Sequence, residues 1–348
     1  MLLFLDGFDN LTAAQAVSTA KWAAYNGLAE DADNGRFEYG QALMGNDDGH
    51  YIERAIGSNL ASGCIGVACK VAPGANAQLL IVTYDGTSPQ LVVKHNADRT
   101  LSIMRNTTVL GTSTYQTPSN SYFYLELLFN INNSIGTDEC QLYVNGTSVV
   151  NLSATTDTQD TSNAYITKYR LGGDTGVLTG TVNTFYFDDH YFIDLTGTYN
   201  NAPLGEVRVQ YSLPSAEGDS SGFVGSDNDN NDNFALVADS EAHDGSTTYV
   251  QAAVPDLTDT YEIADLDGAT TTVLGIQTNI VARKTDTADK TIAPVLRVNL
   301  TDYPGTTTGN IASDYTSYLE VFEENPDTTA AWDVNEINAS QFGMKVVS

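Results

Sequence analysis

Apolar and polar residues alternate with period two along most of the 348-residue chain, the signature of half-buried β-strands. SYFYLELLFNI is the clearest case. Phe123, Leu125, Leu127, Phe129 and Ile131 fall on one face, and Tyr122, Tyr124, Glu126, Leu128 and Asn130 on the other. QLYVNGTSVVNL predicts a hairpin, because Asn145-Gly146 supplies the positive φ angles of a type I′ turn. QLVVKHNADRTLSIMRNTTVLGTS predicts a three-strand meander that turns near 96–98 and 106–107. MLLFLDGFDN reads as a first strand: its apolar run stops at Asp6, without the basic region or cleavage site of a signal peptide and too short to span a membrane. LTAAQAVSTAKWA, residues 11–23, fits neither period well, so helix and loop stand as equal readings.

TGTYNNAPLG carries turn formers and no periodicity, which places a boundary within 196–205. The expected division is a first domain over 1–198 and a second over 199–348. EVRVQYSLP opens the second as a strand, with Val207, Val209, Tyr211 and Leu213 on one face. VLGIQTNIVARKT, TIAPVLRVN and SYLEVFEEN continue the pattern, and AWDVNEINASQFGMKVVS predicts a short helical turn before a last strand. No internal repeat relates the halves. The fold class expected is all-β, two β-sandwich or jelly-roll domains in series.

Composition narrows the partners. With 44 acidic against 15 basic residues the net charge is −29, a field that repels phosphate backbones and excludes nucleic acid as a ligand. Three cysteines, Cys64, Cys69 and Cys140, are too few for a disulfide framework. Cys64 and Cys69 lie at odd separation in one expected strand, so they point to opposite faces as buried thiols.

FYFDDHYFID, residues 185–194, sets two aspartates and a histidine among aromatic residues, and an unpartnered buried carboxylate is costly. Strict alternation puts Phe185, Phe187, Tyr191 and Ile193 on an apolar face with Asp189 as the intruder. A β-bulge between the aspartates turns both outward instead. One reading is a Ca²⁺ site of Asp188 and Asp189 with Asp6 and Asp9 of the first strand, should the terminal strands pair. The competing reading bonds Asp189 to backbone or to Arg36. His190 lacks the spaced partner that a zinc site needs. GSDNDNNDN fails as an EF-hand loop, since Asp232 stands where glycine is required and Ala238 where the bidentate glutamate belongs. No catalytic constellation is legible: His50, His95, His190 and His243 are scattered, and Glu320, Glu323 and Glu324 split between faces. No cofactor is required. Nineteen tyrosines suit sugar or protein recognition, because an aromatic face stacks while a hydroxyl bonds.

Taken in order, several motifs resemble the laminin-G/concanavalin-like jelly rolls encoded by tailed bacteriophages. They are Phe4, Asp6, Phe8 and Asp9; Trp22; Gly35-Arg36 through Gly40-Gln41-Ala42-Leu43; and Phe187-Asp188-Asp189. The resemblance covers about the first 195 residues, and GEVRV, TNIVARK and YLEVFEENPDTTAAW resemble a phage virion module. It implies a non-enzymatic virion structural protein, assembled in the host cytoplasm, on the tail, baseplate or capsid surface. It also implies other virion subunits as partners, homo-oligomerisation, and no membrane insertion. The second reading is a carbohydrate-binding module that recognises a host surface glycan.

Overall fold

A computed structural model describes the whole chain except residues 38–39, 135–138, 174–181, 240–242 and 267. It divides into two units, each all-β. Unit 1 comprises Met1–Val17 and Trp22–Val209, and unit 2 comprises Ser18–Lys21 and Gln210–Ser348. Among the described residues no helix is long and apolar enough to cross a membrane.

The strands of unit 1 are β1 (Leu2–Asp6), β2 (Ala24–Asn26), β3 (Ala29–Asp31), β4 (Ala42–Gly45), β5 (Tyr51–Leu60), β6 (Ser62–Val71), β7 (Gln78–Asp85), β8 (Ser88–His95), β9 (Thr100–Arg105), β10 (Thr108–Gln116), β11 (Phe123–Asn130), β12 (Gln141–Val144), β13 (Thr147–Asn151), β14 (Ile166–Gly172) and β15 (Phe185–Ile193). They build two sheets. The larger has the order β13-β12-β11-β6-β15-β4-β3, with β1 also paired to β15. The other runs β10-β9-β8-β7-β14-β5-β2. The terminal strands therefore pair, as the calcium reading required, with Asp6 opposite His190.

Local chemistry explains the turns. Asn145 and Gly146 both take positive φ, 49° and 72°, the I′ geometry that matches strand twist. The meander turns at Arg99 and Asn106, also left-handed at 69° and 50°. Residues 11–23 resolve into a short helix, Ala13–Ser18, that buries Ala13 and Ala16. All three cysteines are free and buried.

Between the sheets, Tyr169 of β14 meets Phe192 and His190 of β15 at ring-centroid distances of 5.0 and 5.4 Å. Trp22, fully buried, adds edge contacts to Phe4 at 5.2 Å and Tyr169 at 6.3 Å. Each such side chain contributes on the order of 2 kcal/mol through burial. β11 departs from the simple alternation, because every residue from Phe123 to Phe129 is buried. Leu125 and Leu127 pair with Val67 and Ile65. The face of Tyr124 and Glu126 is covered as well, by the segment that leads out of unit 1.

That segment corrects the expected strand at 206–214. Residues 207–213 belong to no sheet. Their backbone bonds go to side chains instead: Val209 N–H donates to Asp189 at 2.7 Å, and the Val207 carbonyl accepts from Arg36 at 2.6 Å. These bonds hold 206–209 in unit 1, so the division falls after Val209 and not at 198/199.

Unit 2 holds a five-stranded antiparallel sheet, in the order Pro214–Ser221, Thr258–Ile263, Gln341–Val346, Ile292–Val298, Thr301–Pro304. A ribbon of Ile276–Ala282 and Thr316–Phe322 lends Ile276 and Phe322 to a core of Leu296, Val298, Trp332 and Ile337. The expected helical turn is Val334–Asn338, with a capping box between Asp333 and Glu336 that satisfies donors at both ends of the first turn.

Candidate functional site

The pairing of β15 with β6 slips between Asp188 and Tyr191, and Asp189 takes a φ of 48°. This is the bulge that two successive acids in an apolar strand suggested, and it inverts the parity of everything after it. Phe187, His190 and Phe192 share the core face, whereas Asp188, Asp189 and Tyr191 face outward. The strict-alternation assignment therefore fails beyond Asp188. The bulge also sits where the neighbour changes: β4 pairs with Phe185–Phe187, and β1 with His190–Ile193.

Arg36 caps the outward pair. Its backbone N–H donates to Asp188 Oδ2 at 2.7 Å and its Nη1 to Asp189 Oδ2 at 2.7 Å. Its Nη2 bonds Glu206, and its guanidinium lies 5.2 Å from the Tyr124 ring centre. Asp188 Oδ1 accepts from the Asp189 amide at 2.8 Å, and the Asp189 carbonyl accepts from Tyr124 hydroxyl at 2.8 Å. Beside it, Tyr191 hydroxyl donates to Glu126 Oε1 at 2.5 Å and accepts from the Leu204 amide at 3.0 Å. Gly205 N–H donates to the same Glu126 oxygen at 2.8 Å. The result is one polar layer that stitches β11, β15, the Arg36 loop and residues 204–209 together.

Charge in that layer is set by burial. Loss of water pushes Asp188 up to about 8, with the nearby Asp189 charge adding to the rise. Asp189 is raised for the same reason, offset by the Val209 N–H and by Arg36. Glu126 is raised by burial against the bonds from Tyr191 and Gly205. Near neutral pH the pair thus carries less than two negative charges against the single positive charge of Arg36, a balance a buried ion pair needs.

His190 has no room for a metal. Its Nδ1 lies 2.8 Å from the Gly66 carbonyl and its Nε2 2.7 Å from Tyr169 hydroxyl, so Nδ1 carries the proton and Nε2 accepts. Burial lowers its pKa to about 4, which keeps the ring neutral.

The four acids expected to form a calcium set are not brought to one point. Asp6 faces the core, where it accepts from Trp22 Nε1 at 2.7 Å and Phe8 N–H at 2.9 Å, with the sheet between it and the outward pair. Asp9 lies on the pair's side, and its Oδ1 accepts from the Gln41 amide at 2.8 Å. Among the described residues no three His, Cys, Asp or Glu side chains are arranged to hold a metal ion. In the 225–233 loop, Asp229 N–H and Asn231 N–H close successive turns on Asp227 and Asp229. Its anchor is buried Asn233, bonded to Asp259 at 2.8 Å. Glu320 accepts from Thr306 hydroxyl at 3.0 Å.

Arg36 and the bulge are legible in the sequence, whereas the roles of Glu126, Tyr191 and the 204–209 segment are not. The signal for Glu126 was a lone acid within SYFYLELLFNI. Nothing local marked its partners, which come from 65 and 79 residues away.

No family model matches the chain, and no curated protein sequence matches it. Solved structures do. Carbohydrate-binding module CBM66 from Bacillus subtilis aligns over 49% of this chain and 94% of its own, at 9% identity and a TM-score of 0.32. Domain 4 of AbnA, a GH43 extracellular arabinanase from Geobacillus stearothermophilus, in complex with arabinotriose, aligns over 49% and 76%, at 11% identity and 0.34. Trypanosoma rangeli sialidase aligns over 44% and 25%, at 11% identity and 0.33. The chain spans 15 to 25% of the sialidase chains it matches.

Proposed function

We propose that this chain is a non-catalytic recognition protein displayed on a tailed-phage particle, with a glycan as the ligand of unit 1. The observation that carries this reading is that the chemically capable side chains of the β15 bulge and the layer around Arg36 are spent on the fold. Asp188, Asp189, His190, Glu126 and Tyr191 are all under 5% exposed and bonded to one another, to Arg36 or to backbone. A catalytic acid or base has to reach a substrate and exchange protons with it. What remains for function is the surface, where Tyr25 and Tyr115 of unit 1 expose their rings and suit stacking on a sugar.

The ordered motifs resembling phage jelly rolls supply the setting, and a net charge of −29 suits an exposed layer that stays soluble. The partners in that setting are neighbouring virion subunits, further copies of this chain included. Mass spectrometry of purified particles tests the setting: the chain is expected among the virion proteins, and its absence overturns that part. A glycan array tests the ligand class, with capture of at least one glycan expected and a blank array contradicting it.

A further inference from the structure

Unit 1 holds a cavity of about 200 Å³ among the loops after β6, β8 and β10, lined in part by Pro73, His95, Asp98, Arg99, Pro118 and Asn183. At roughly 30 Å³ per water, the space exceeds what one or two waters fill and matches one sugar ring. The walls are preformed. Thr117 N–H donates to the Arg99 carbonyl, and Asn120 N–H to the Val71 carbonyl, both at 2.9 Å. Asn183 Nδ2 donates to the Asn76 carbonyl at 2.9 Å, and its Oδ1 packs so closely on Gly74 that a Cβ there would stand 1.8 Å away.

One of the lining residues carries an unspent polar atom. His95 is 1% exposed; its Nε2 bonds Thr117 hydroxyl at 2.8 Å, and its Nδ1 has no partner in the protein. Directly across the β7–β8 ladder, buried Gln78 leaves both amide atoms without a partner. Buried polar atoms are nearly always satisfied, and orphans mark a place where something else bonds. Arg99 is held in the left-handed region at 69°, the kind of local strain that collects at ligand sites.

We propose that this cavity binds one ring of a neutral sugar, with His95 Nδ1 as its buried polar contact; the proposal rests on the glycan-recognition reading of unit 1. The charges select the ligand. Asp98 and Arg99 place one negative and one positive charge at the exposed rim, so neither a cation nor an anion finds net attraction there. The overall charge of −29 further disfavours anions. Burial holds His95 neutral, with a pKa lowered to about 4. A carboxylate and a guanidinium at a rim suit the adjacent hydroxyls of a sugar, and Pro73 and Pro118 offer apolar faces for its C–H side.

The test is a titration of the ¹⁵N-labelled full chain with methyl glucoside, methyl galactoside, methyl mannoside and N-acetylglucosamine, with sialic acid and glucosamine as charged counterparts. The His95 ring nitrogens are read by long-range NMR. A saturable shift of His95 is expected with at least one neutral sugar and with neither charged one. Asp98→Asn and Arg99→Asn, the second keeping a residue that tolerates the left-handed backbone, are expected to weaken that binding about tenfold or more while the melting temperature holds. Three results overturn the proposal: no sugar shifts His95, charged sugars bind as well, or a crystal soaked with the sugars shows only ordered water at Nδ1. Should the chain capture array glycans while His95 stays unmoved, the ligand lies elsewhere and only this site assignment falls. A blank array removes the glycan reading itself.

Discussion

Arg36 donates to Asp189 and to the Val207 carbonyl while its own amide serves Asp188, so deleting the guanidinium leaves a buried carboxylate without its counter-charge. Arg36→Ala is expected to cost unit 1 about 3–5 kcal/mol, read as a lowered urea midpoint in the fluorescence of Trp22 with Trp332 replaced by Phe in both proteins. An unchanged midpoint would show that the pair contributes nothing net. Asp188 gives a pH signature of its own. Its folded pKa of about 8 stands above the ordinary 3.8, so the folded chain holds a proton that the unfolded chain releases across that window. The stabilisation is complete below the lower value and is lost as pH rises through the upper one. The melting temperature of Asp188→Asn relative to the native chain is therefore expected to climb between pH 5 and pH 8. A flat difference would place the proton elsewhere.

At the scale of elements, the bulge in β15 and the segment 204–209 form one device. The bulge turns Asp189 outward, and Asp189 and Glu126 then bind amides that have no strand partner. Hydrogen exchange should find the Gly205 and Val209 amides protected comparably to those of β11, although neither lies in a sheet. Rapid exchange at both would separate the segment from unit 1. The β12–β13 hairpin offers a cleaner measurement. Nothing lies within 4 Å of a Cβ placed on Gly146, whose φ is +72°, so Gly146→Ala is expected to cost about 1 kcal/mol through backbone conformation alone. What could be read in advance follows the same division. The Asn145-Gly146 turn was legible because two adjacent residues state a backbone requirement. The bulge was legible as a break in alternation, yet its consequence for Asp6 was not, since one inserted residue decides which acids share a face. EVRV imitated a strand because alternation reports two environments, buried and exposed, and is silent about which groups take up the backbone bonds.

The whole molecule combines two all-β units, a strongly acidic surface and a first unit whose polar layer around Arg36 is committed to holding it together. Fold class followed from periodicity along the whole chain, whereas the outer polar layer needed contacts across well over a hundred residues that no window of sequence contains. The central claim is recognition without turnover. It is tested most directly by exposing a glycan array to the full chain and then recovering each captured glycan for mass determination. The account predicts that at least one glycan is retained and returns at unchanged mass. A blank array, or a captured glycan returned shortened, would contradict it.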